Sequence, residues 1–157
     1  MNSDGIRLTP VLLHVEDDDS IAYLLRLALH EIRVDIDVFR TCDGEDAIAF
    51  LTRNGVFGGA PIPDIVVLDL NLPKKNGHDV LTEIRRQVAL RHLPVIMLTS
   101  SSAPEDHERA IALGANEYVL KPKNMAEFFM VANRIAAYIE AANTPAPNST
   151  GAGGRPG

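Results

Sequence analysis

The sequence contains no tryptophan, only one cysteine and no long run of apolar residues. Because Cys42 is the single thiol, the chain cannot form an internal disulfide or a metal site of several thiolates, and we expect a small buried residue at a strand end. No apolar stretch approaches the ~20 residues of a bilayer-spanning helix. The first five residues also lack the charged and apolar segments of a secretory signal. These absences favour a cytoplasmic protein without membrane contact.

Positive charge is also scarce. Fifteen Lys and Arg against 21 Asp and Glu give a formal charge of −6, and the basic residues form no continuous run. Such a surface repels a phosphate backbone, so we expect no direct nucleic-acid partner. The chain does have 46% hydrophobic residues within a length of 157, which suits one globular domain.

Short apolar runs alternate along the chain with segments of helical periodicity. This alternation is typical of β-α-β units, whose right-handed crossovers place helices on both faces of a parallel sheet. The sequence therefore predicts an α/β fold with a doubly wound, five-stranded parallel sheet. The predicted strands are 11–15, 36–39, 65–68, 95–98 and 118–120; the predicted helices are 20–32, 44–52, one after Gly77, 105–113 with Pro104 in its first turn and Gly114 as its cap, and 125–142.

Composition also sets the domain boundaries. We expect an N-terminal extension over 1–10, one domain over 11–142 and a disordered tail over 143–157, where Pro, Gly, Ser, Thr and Asn replace the hydrophobic periodicity. The glycine- and proline-rich segment 54–64 exceeds the usual length of about two to six residues before such a strand. It is predicted to be a mobile loop.

The last predicted helix has more apolar residues than one core-facing stripe requires. Two interpretations remain open. The helix packs deeply against the sheet and its neighbour, or its surplus face forms a dimer interface. The main stripe comprises Phe128, Val131, Ala132, Ile135, Ile139 and Ala142, and Met125, Phe129, Ala136 and Tyr138 widen it.

Chemically active side chains follow four of the five predicted strands. Glu16 and Asp17 come after the first strand and Asp69 after the third, while Thr99 ends the fourth and Lys121 follows the fifth. The carboxyl ends of parallel strands meet at one edge of a sheet, where open α/β sheets bind their ligands. Converging carboxylates repel one another unless a cation joins them. A set of hard oxygen ligands without His or Cys predicts Mg²⁺.

Each of these residues also has an ordinary structural interpretation. Asp17, Asp18 and Thr99 could be helix caps, and Lys121 could be a solvent-exposed lysine. It is their occurrence together at four strand ends that indicates a site. His14, which interrupts the first strand, is expected to be a buried, hydrogen-bonded histidine and not a phosphoryl carrier.

These motifs together resemble the receiver domains of two-component response regulators, and the resemblance extends from residue 11 to about residue 139. It implies a flavodoxin-like sheet with strand order 2-1-3-4-5. The motifs that carry it are Glu16-Asp17, the segment 69–73 with Gly77, Thr99-Ser100, and the segment 118–122.

The resemblance also implies a role for each matching residue. Asp69 would be the phosphoacceptor and a metal ligand. Asp17 would bind Mg²⁺ directly, Glu16 through a water molecule, and Asn71 through its backbone carbonyl. The phosphoryl donor would be a phosphohistidine on a sensor histidine kinase.

The remaining matched residues would bind and report the phosphoryl group. Thr99 and Lys121 would contact its oxygens, and Pro122 would follow a cis peptide bond that aims Lys121 into the crevice. Tyr118 would rotate into space that Thr99 leaves after phosphorylation, changing the surface of the fourth helix, fifth strand and fifth helix. The chain would act as a self-catalysing phosphoacceptor and not as an enzyme on other substrates.

A narrower resemblance concerns stand-alone regulators paired with bacterial phytochrome kinases. It rests on the long loop before Pro63, the segment 68–77 and the lengthened last helix. The resemblance implies a homodimer through the last helix and its surroundings. Because little more than this helix and the tail follow Lys121, we expect the output to occur through protein contact.

Two other functions remain as alternatives. An aspartate-nucleophile phosphohydrolase would use a second acid two residues after Asp69, where this chain has Asn71. A pseudo-receiver would share the fold as a binding module without ever being phosphorylated, although retention of the acidic and basic residues argues against it.

Overall fold

A computed structural model describes residues 9–143 and forms one five-stranded parallel sheet with strand order β2-β1-β3-β4-β5. This confirms the predicted fold class and strand order. The strands are β1 (Val11–Val15), β2 (Asp37–Thr41), β3 (Ile65–Leu68), β4 (Val95–Thr99) and β5 (Glu117–Leu120). The α-helices are α1 (Asp19–Glu31), α2 (Gly44–Thr52), α3 (Gly77–Arg86), α4 (Pro104–Ala112) and α5 (Met125–Asn143), and Gly55–Phe57 forms a 3₁₀ turn.

The sheet separates two hydrophobic cores. On one face Leu12 and Ile96 pack against α1 and α5, and on the other Leu13 and Met97 pack against α2 and α3. Alternate residues of β1, β3 and β4 enter opposite cores because successive strand side chains point to opposite faces. These three strands are buried on both faces, which explains their continuous apolar runs.

Local sequence signals account for most helix ends. The Asp18 side chain accepts the backbone N–H groups of Ser20 and Ile21 and so caps α1. Pro104 occupies the first turn of α4 as predicted. Gly114 lies just beyond that helix at φ +102°, a backbone conformation that residues with a Cβ rarely adopt.

Several details differ from the sequence prediction. Strand β2 extends to Thr41 because it continues to pair with Val15 of β1, although its last residues are polar. Cys42 is exposed, so the predicted buried position is wrong; Thr41 is buried, and side chains that alternate along the strand turn the next one outward. Within the segment predicted as a mobile loop, Phe57 packs against Phe50 with ring centroids 5.6 Å apart.

Helix α5 buries most of its apolar stripe and ends at Asn143, so the predicted tail begins one residue too early; its remainder and residues 1–8 lie outside the described residues. Ala142, assigned to the stripe from the sequence, is exposed in the final turn. The widening residues Phe129 and Tyr138 are half-buried against the core. Within residues 9–143, no helix combines the length and apolar character needed to cross a bilayer.

Candidate phosphoacceptor and metal site

Three carboxylates converge at the carboxyl edge of the sheet. Strands β1 and β3 are neighbours with Val15 opposite Leu68, so the residues after them emerge at the same level. Oxygen atoms of Glu16, Asp17 and Asp69 all lie within 4.8 Å of one another. Glu16 and Asp69 are buried and Asp17 is exposed, which leaves one side of the cluster open to solvent. The structure thus brings together the predicted acidic residues.

Lys121 supplies the positive charge of this cluster. Its Nζ lies 2.9 Å from Glu16 Oε2 and 2.9 Å from Asp69 Oδ2. Burial alone would lower the lysine pKa, but the hydrogen bonds to Asp69 and Glu16 outweigh it and raise the pKa. Lys121 therefore stays charged and holds two carboxylates that would otherwise repel each other.

The backbone explains how Lys121 arrives there. Its N–H donates to the Thr99 carbonyl at 2.8 Å, which continues the β4–β5 hydrogen-bonding beyond the end of the strand. The described residues contain no cis peptide bond, so the cis bond expected before Pro122 is wrong. Pairing with the neighbouring strand places Lys121 at the site instead.

The ionisation of Glu16 is perturbed by its position in the cluster. Burial raises its pKa to about 7, while the hydrogen bond from Lys121 works in the opposite direction. Its Oε2 accepts hydrogen bonds from Lys121 and from the Asp18 N–H, but its buried Oε1 has no partner. A buried oxygen without a donor, next to two further carboxylates, fits a hard divalent cation.

The loop after β3 packs closely against two helix starts. The Asn71 N–H donates to Asp69 Oδ1 at 3.3 Å, and the Asn71 side chain is exposed. A Cβ on Gly77 would lie 2.3 Å from the Asp69 carbonyl oxygen, and one on Gly44 would lie 1.9 Å from the carbonyl oxygen of Lys75. Glycine is required at both positions because the loop backbone occupies the space of a side chain.

The hydroxyl side of the crevice is held by hydrogen bonds around Ser101, whose own hydroxyl donates to the Asp106 carboxylate. Thr99 is fully buried at the end of β4, and its Oγ1 accepts the Ser101 N–H at 3.3 Å. The Tyr118 hydroxyl donates to the Ser101 carbonyl at 2.8 Å, and its ring stacks on His107 with centroids 4.7 Å apart. The two residues predicted to form a switch are therefore joined through the backbone of Ser101.

Sequence reasoning missed Arg40. Its Nε donates to the Glu16 carbonyl at 2.9 Å, and its Nη1 lies 2.8 Å from Asp19 Oδ1. Arg40 thereby fixes the backbone that presents the first acidic residue. A signal was available, because Arg40 shares with Val38 the face of β2 that points towards the core.

His14 is buried as predicted, but it is not fully hydrogen-bonded. Its Nε2 has no partner, which corrects that part of the prediction. Burial first, and then the positive charges of Arg40, Lys121 and Arg26, lower the His14 pKa to about 3. His14 is thus an uncharged side chain in a cationic environment, placed directly behind the acidic cluster.

The geometry permits one kind of chemistry in particular. Asp69 offers a carboxylate whose Oδ1 keeps a free lone pair, since it accepts only the long bond from Asn71. Lys121 and the acid cluster could neutralise the charge of an incoming phosphoryl group, the lysine directly and the acids through a bound cation. Nucleophilic attack on phosphorus is therefore the reaction this arrangement supports.

Comparison with known proteins gives the same picture. A family model described as the response regulator receiver domain matches residues 12–133. The response regulator Rcp1 of Synechocystis is 34% identical over 145 residues, covering 92% of this chain and 99% of Rcp1.

Solved structures agree with this sequence similarity. The phosphorylated cyanobacterial phytochrome response regulator RcpA has a TM-score of 0.79 and 32% identity, covering 87% of this chain and 97% of RcpA. The Mn²⁺-bound form of Rcp1 has a TM-score of 0.77 and 32% identity, covering 88% and 99% of the two chains.

Proposed function

The chain belongs to the response regulator receiver domain family, and from this premise we propose that Asp69 accepts a phosphoryl group from a phosphohistidine. Family membership implies a histidine kinase as the partner that carries this donor. The observation that carries the proposal is the contact of Lys121 with Asp69 and Glu16 beside an exposed Asp17.

The reaction follows from these positions. An oxygen of Asp69 attacks the phosphorus of the donor, a P–O bond forms, and the N–P bond to the histidine breaks with its electron pair leaving on the imidazole. Lys121 follows the developing negative charge, because its flexible stem lets the ammonium bind a phosphoryl oxygen as well as the carboxylates. The Thr99 hydroxyl binds a second phosphoryl oxygen. Water later hydrolyses the acyl phosphate and ends the signal.

We assign Mg²⁺ to the acidic cluster, with Asp17 and Asp69 as direct ligands, Glu16 acting through water and Asn71 through its carbonyl. The unpaired Oε1 of Glu16 and the convergence of three acids support a hard divalent ion. When bound, such an ion neutralises negative charge on the phosphoryl oxygens. Receiver domains of this kind bind divalent ions, as the Mn²⁺-bound form of Rcp1 illustrates.

The output is proposed to be a change in surface shape. Thr99 and Tyr118 are both hydrogen-bonded to the Ser101 backbone. If a phosphoryl group draws the Thr99 hydroxyl inward, this backbone has to adjust, and Tyr118 turns inward. The surface formed by α4, β5 and α5 then changes. Phosphorylation controls this two-state element only if the modified site binds one state better.

We further propose a light-sensing pathway with a bacterial phytochrome as the kinase. The support is the similarity to RcpA, a cyanobacterial phytochrome response regulator, over nearly its whole length. The downstream contact is with a protein. The cytoplasm is the proposed compartment, since kinases make phosphohistidine there from ATP.

A homodimer through α5 and its surroundings completes the proposal. Large apolar side chains are exposed on three successive elements, with Ile111 on α4 at 46%, Leu120 on β5 at 48% and Met130 on α5 at 58%. Burying these side chains in a protein interface would be favourable. Sedimentation equilibrium that finds only monomer at high micromolar concentration would contradict the dimer without touching the phosphorylation chemistry.

Incubation with a small phosphodonor and Mg²⁺, followed by intact mass, tests the central proposal. We expect the mass of one HPO₃ unit to be added to the wild type and to Asp35→Asn, which neutralises an exposed carboxylate, but not to Asp69→Asn. Turnover of a phosphate ester would favour the phosphohydrolase instead, although Asn71 cannot act as its general acid. No modification of the wild type would favour the pseudo-receiver.

A further inference from the structure

A second polar cavity lies behind the acidic cluster, on the α1 face of the sheet. It has a volume of about 260 Å³ and opens between α1, β1 and β2. A water molecule takes about 30 Å³ in the liquid, so the cavity has room for a small polyatomic ligand. Its lining includes His14, Arg26, Arg40 and Tyr23, with Ala22 and Val38 as apolar walls.

Two buried polar atoms of this lining lack a partner. Among the described residues, four buried side-chain nitrogen or oxygen atoms have no hydrogen bond, and two of them are His14 Nε2 and Arg40 Nη2. His14 is only 2% exposed. Buried donors are normally satisfied by the protein, by water or by a ligand.

The guanidinium of Arg40 is already oriented for a ligand. Its Nε is bound to the Glu16 carbonyl and its Nη1 to Asp19, so the plane of the group is fixed while Nη2 remains available. Arg26 is similarly anchored, with its Nη2 donating to the Val38 carbonyl at 3.0 Å. A fixed guanidinium edge suits the oxygens of a carboxylate or a phosphate.

We propose that this cavity binds a small oxyanion, with Arg40 Nη2 and an Nε2–H of His14 as its buried donors and Arg26 as a second cation. The lining carries two guanidinium groups against one carboxylate, that of Asp19, which is itself paired with Arg40. A cation would therefore be repelled. An uncharged apolar ligand would leave both buried donors unsatisfied.

The test follows side-chain NMR signals of the metal-free protein at neutral pH. Sodium phosphate is titrated to tens of millimolar at constant ionic strength, and sodium acetate and sodium chloride are run in parallel. We expect saturable shifts of the His14 imidazole and Arg40 Nε–H signals with phosphate or acetate, and the comparison of the two decides which oxyanion is preferred. Equal shifts with chloride would mean that the cavity does not select an oxyanion, and the absence of a saturable shift would mean that it holds only water; either result would overturn the proposal.

Three variants test whether the oxyanion binds in this cavity. Arg40→Gln should weaken it by about tenfold, the usual effect of losing a charge-assisted hydrogen bond, whereas Arg91→Gln, at an exposed position outside the cavity, should not. Because Arg40 also supports the Glu16 backbone, Ala22→Leu serves as a second variant that fills the cavity and keeps every charge. Saturable shifts that persist unchanged in Ala22→Leu would place the anion elsewhere and contradict the assignment.

Discussion

The acidic side of the crevice and its hydroxyl side are held together by different forces. On the acidic side Lys121 makes two contacts of 2.9 Å with buried carboxylates, and hydrogen bonds between charged groups contribute about 1.5–3 kcal/mol each. On the hydroxyl side Tyr118 makes one neutral hydrogen bond to the Ser101 carbonyl, the kind worth about 0.5–1.5 kcal/mol. The contacts of Lys121 are therefore the stronger. On the hydroxyl side, called the neutral side because Thr99 and Tyr118 carry no charge, Tyr118 can rearrange at lower cost.

The largest effect is expected from breaking the charged side. Lys121→Met removes the cation shared by Glu16 and Asp69, and we expect the rate of Asp69 phosphorylation by a small phosphodonor to fall about a hundredfold or more. Lys123→Met, which removes an exposed lysine two residues later, is the control. A Lys121→Met rate within a few-fold of the wild type would show that the ammonium does not stabilise the transferred group.

Metal binding is a second test of the acidic side, and it leaves Lys121 in place. Mg²⁺ at about one hundred times its dissociation constant should raise the free energy of unfolding by about 2.7 kcal/mol. Asp17→Asn should lose most of this increase because it removes the exposed ligand, and Asp35→Asn should keep it. Thermal unfolding with and without Mg²⁺ measures the difference, and equal stabilisation of the wild type and Asp17→Asn would exclude Asp17 as a ligand.

Removing the Tyr118 side chain on the neutral side should leave the phosphorylation of Asp69 intact and weaken the structural response to it. Tyr118→Ala leaves Lys121 and Asp69 in place, so we expect phosphorylation of Asp69 within about twofold of the wild type. The phosphorylation-dependent shifts of backbone NMR signals in α4 and β5 should become much smaller. If Tyr118→Ala is no longer phosphorylated, the division of roles between the two sides is wrong.

The smallest effect is expected from the outermost contact of the neutral side. His107→Ala removes the ring stacked on Tyr118, and an aromatic pair at an exposed position is worth about 0.5 kcal/mol or slightly more. Urea unfolding should show a loss of this size, with His92→Ala as the control at another exposed histidine. A loss several times larger would mean that His107 is a main support of Tyr118.

The sequence predicted the acidic side better than the neutral one, for a physical reason. Strands β1, β3 and β4 are buried on both faces, so their apolar runs mark both their bounds and the residues that follow them, such as Glu16 and Asp69. The link through Ser101 depends on backbone atoms, which carry no sequence signal. The stack of His107 on Tyr118 depends on how α4 lies beside β5, which local pattern does not determine.

Three further misses have similar causes. The role of Arg40 is hard to predict because its partner is a backbone atom, the Glu16 carbonyl oxygen at the end of another strand. The usual burial of free cysteines predicts a buried Cys42, whereas the alternation of side chains at the end of β2 turns it outward. The family resemblance implies a cis bond before Pro122, whereas the pairing of Lys121 with Thr99 positions the lysine in this chain.

The absence of a Cβ at Gly77 restricts how the protein can accommodate a phosphoryl group on Asp69. The first turn of α3 lies against the Asp69 carbonyl so closely that not even a methyl group fits between them. The main chain of Asp69 cannot move in that direction. The loop is also held at its far end, because the Lys75 carbonyl lies against Gly44. A bulkier, more negative group on Asp69 therefore has to be accommodated by side chains around it and not by a shift of this backbone.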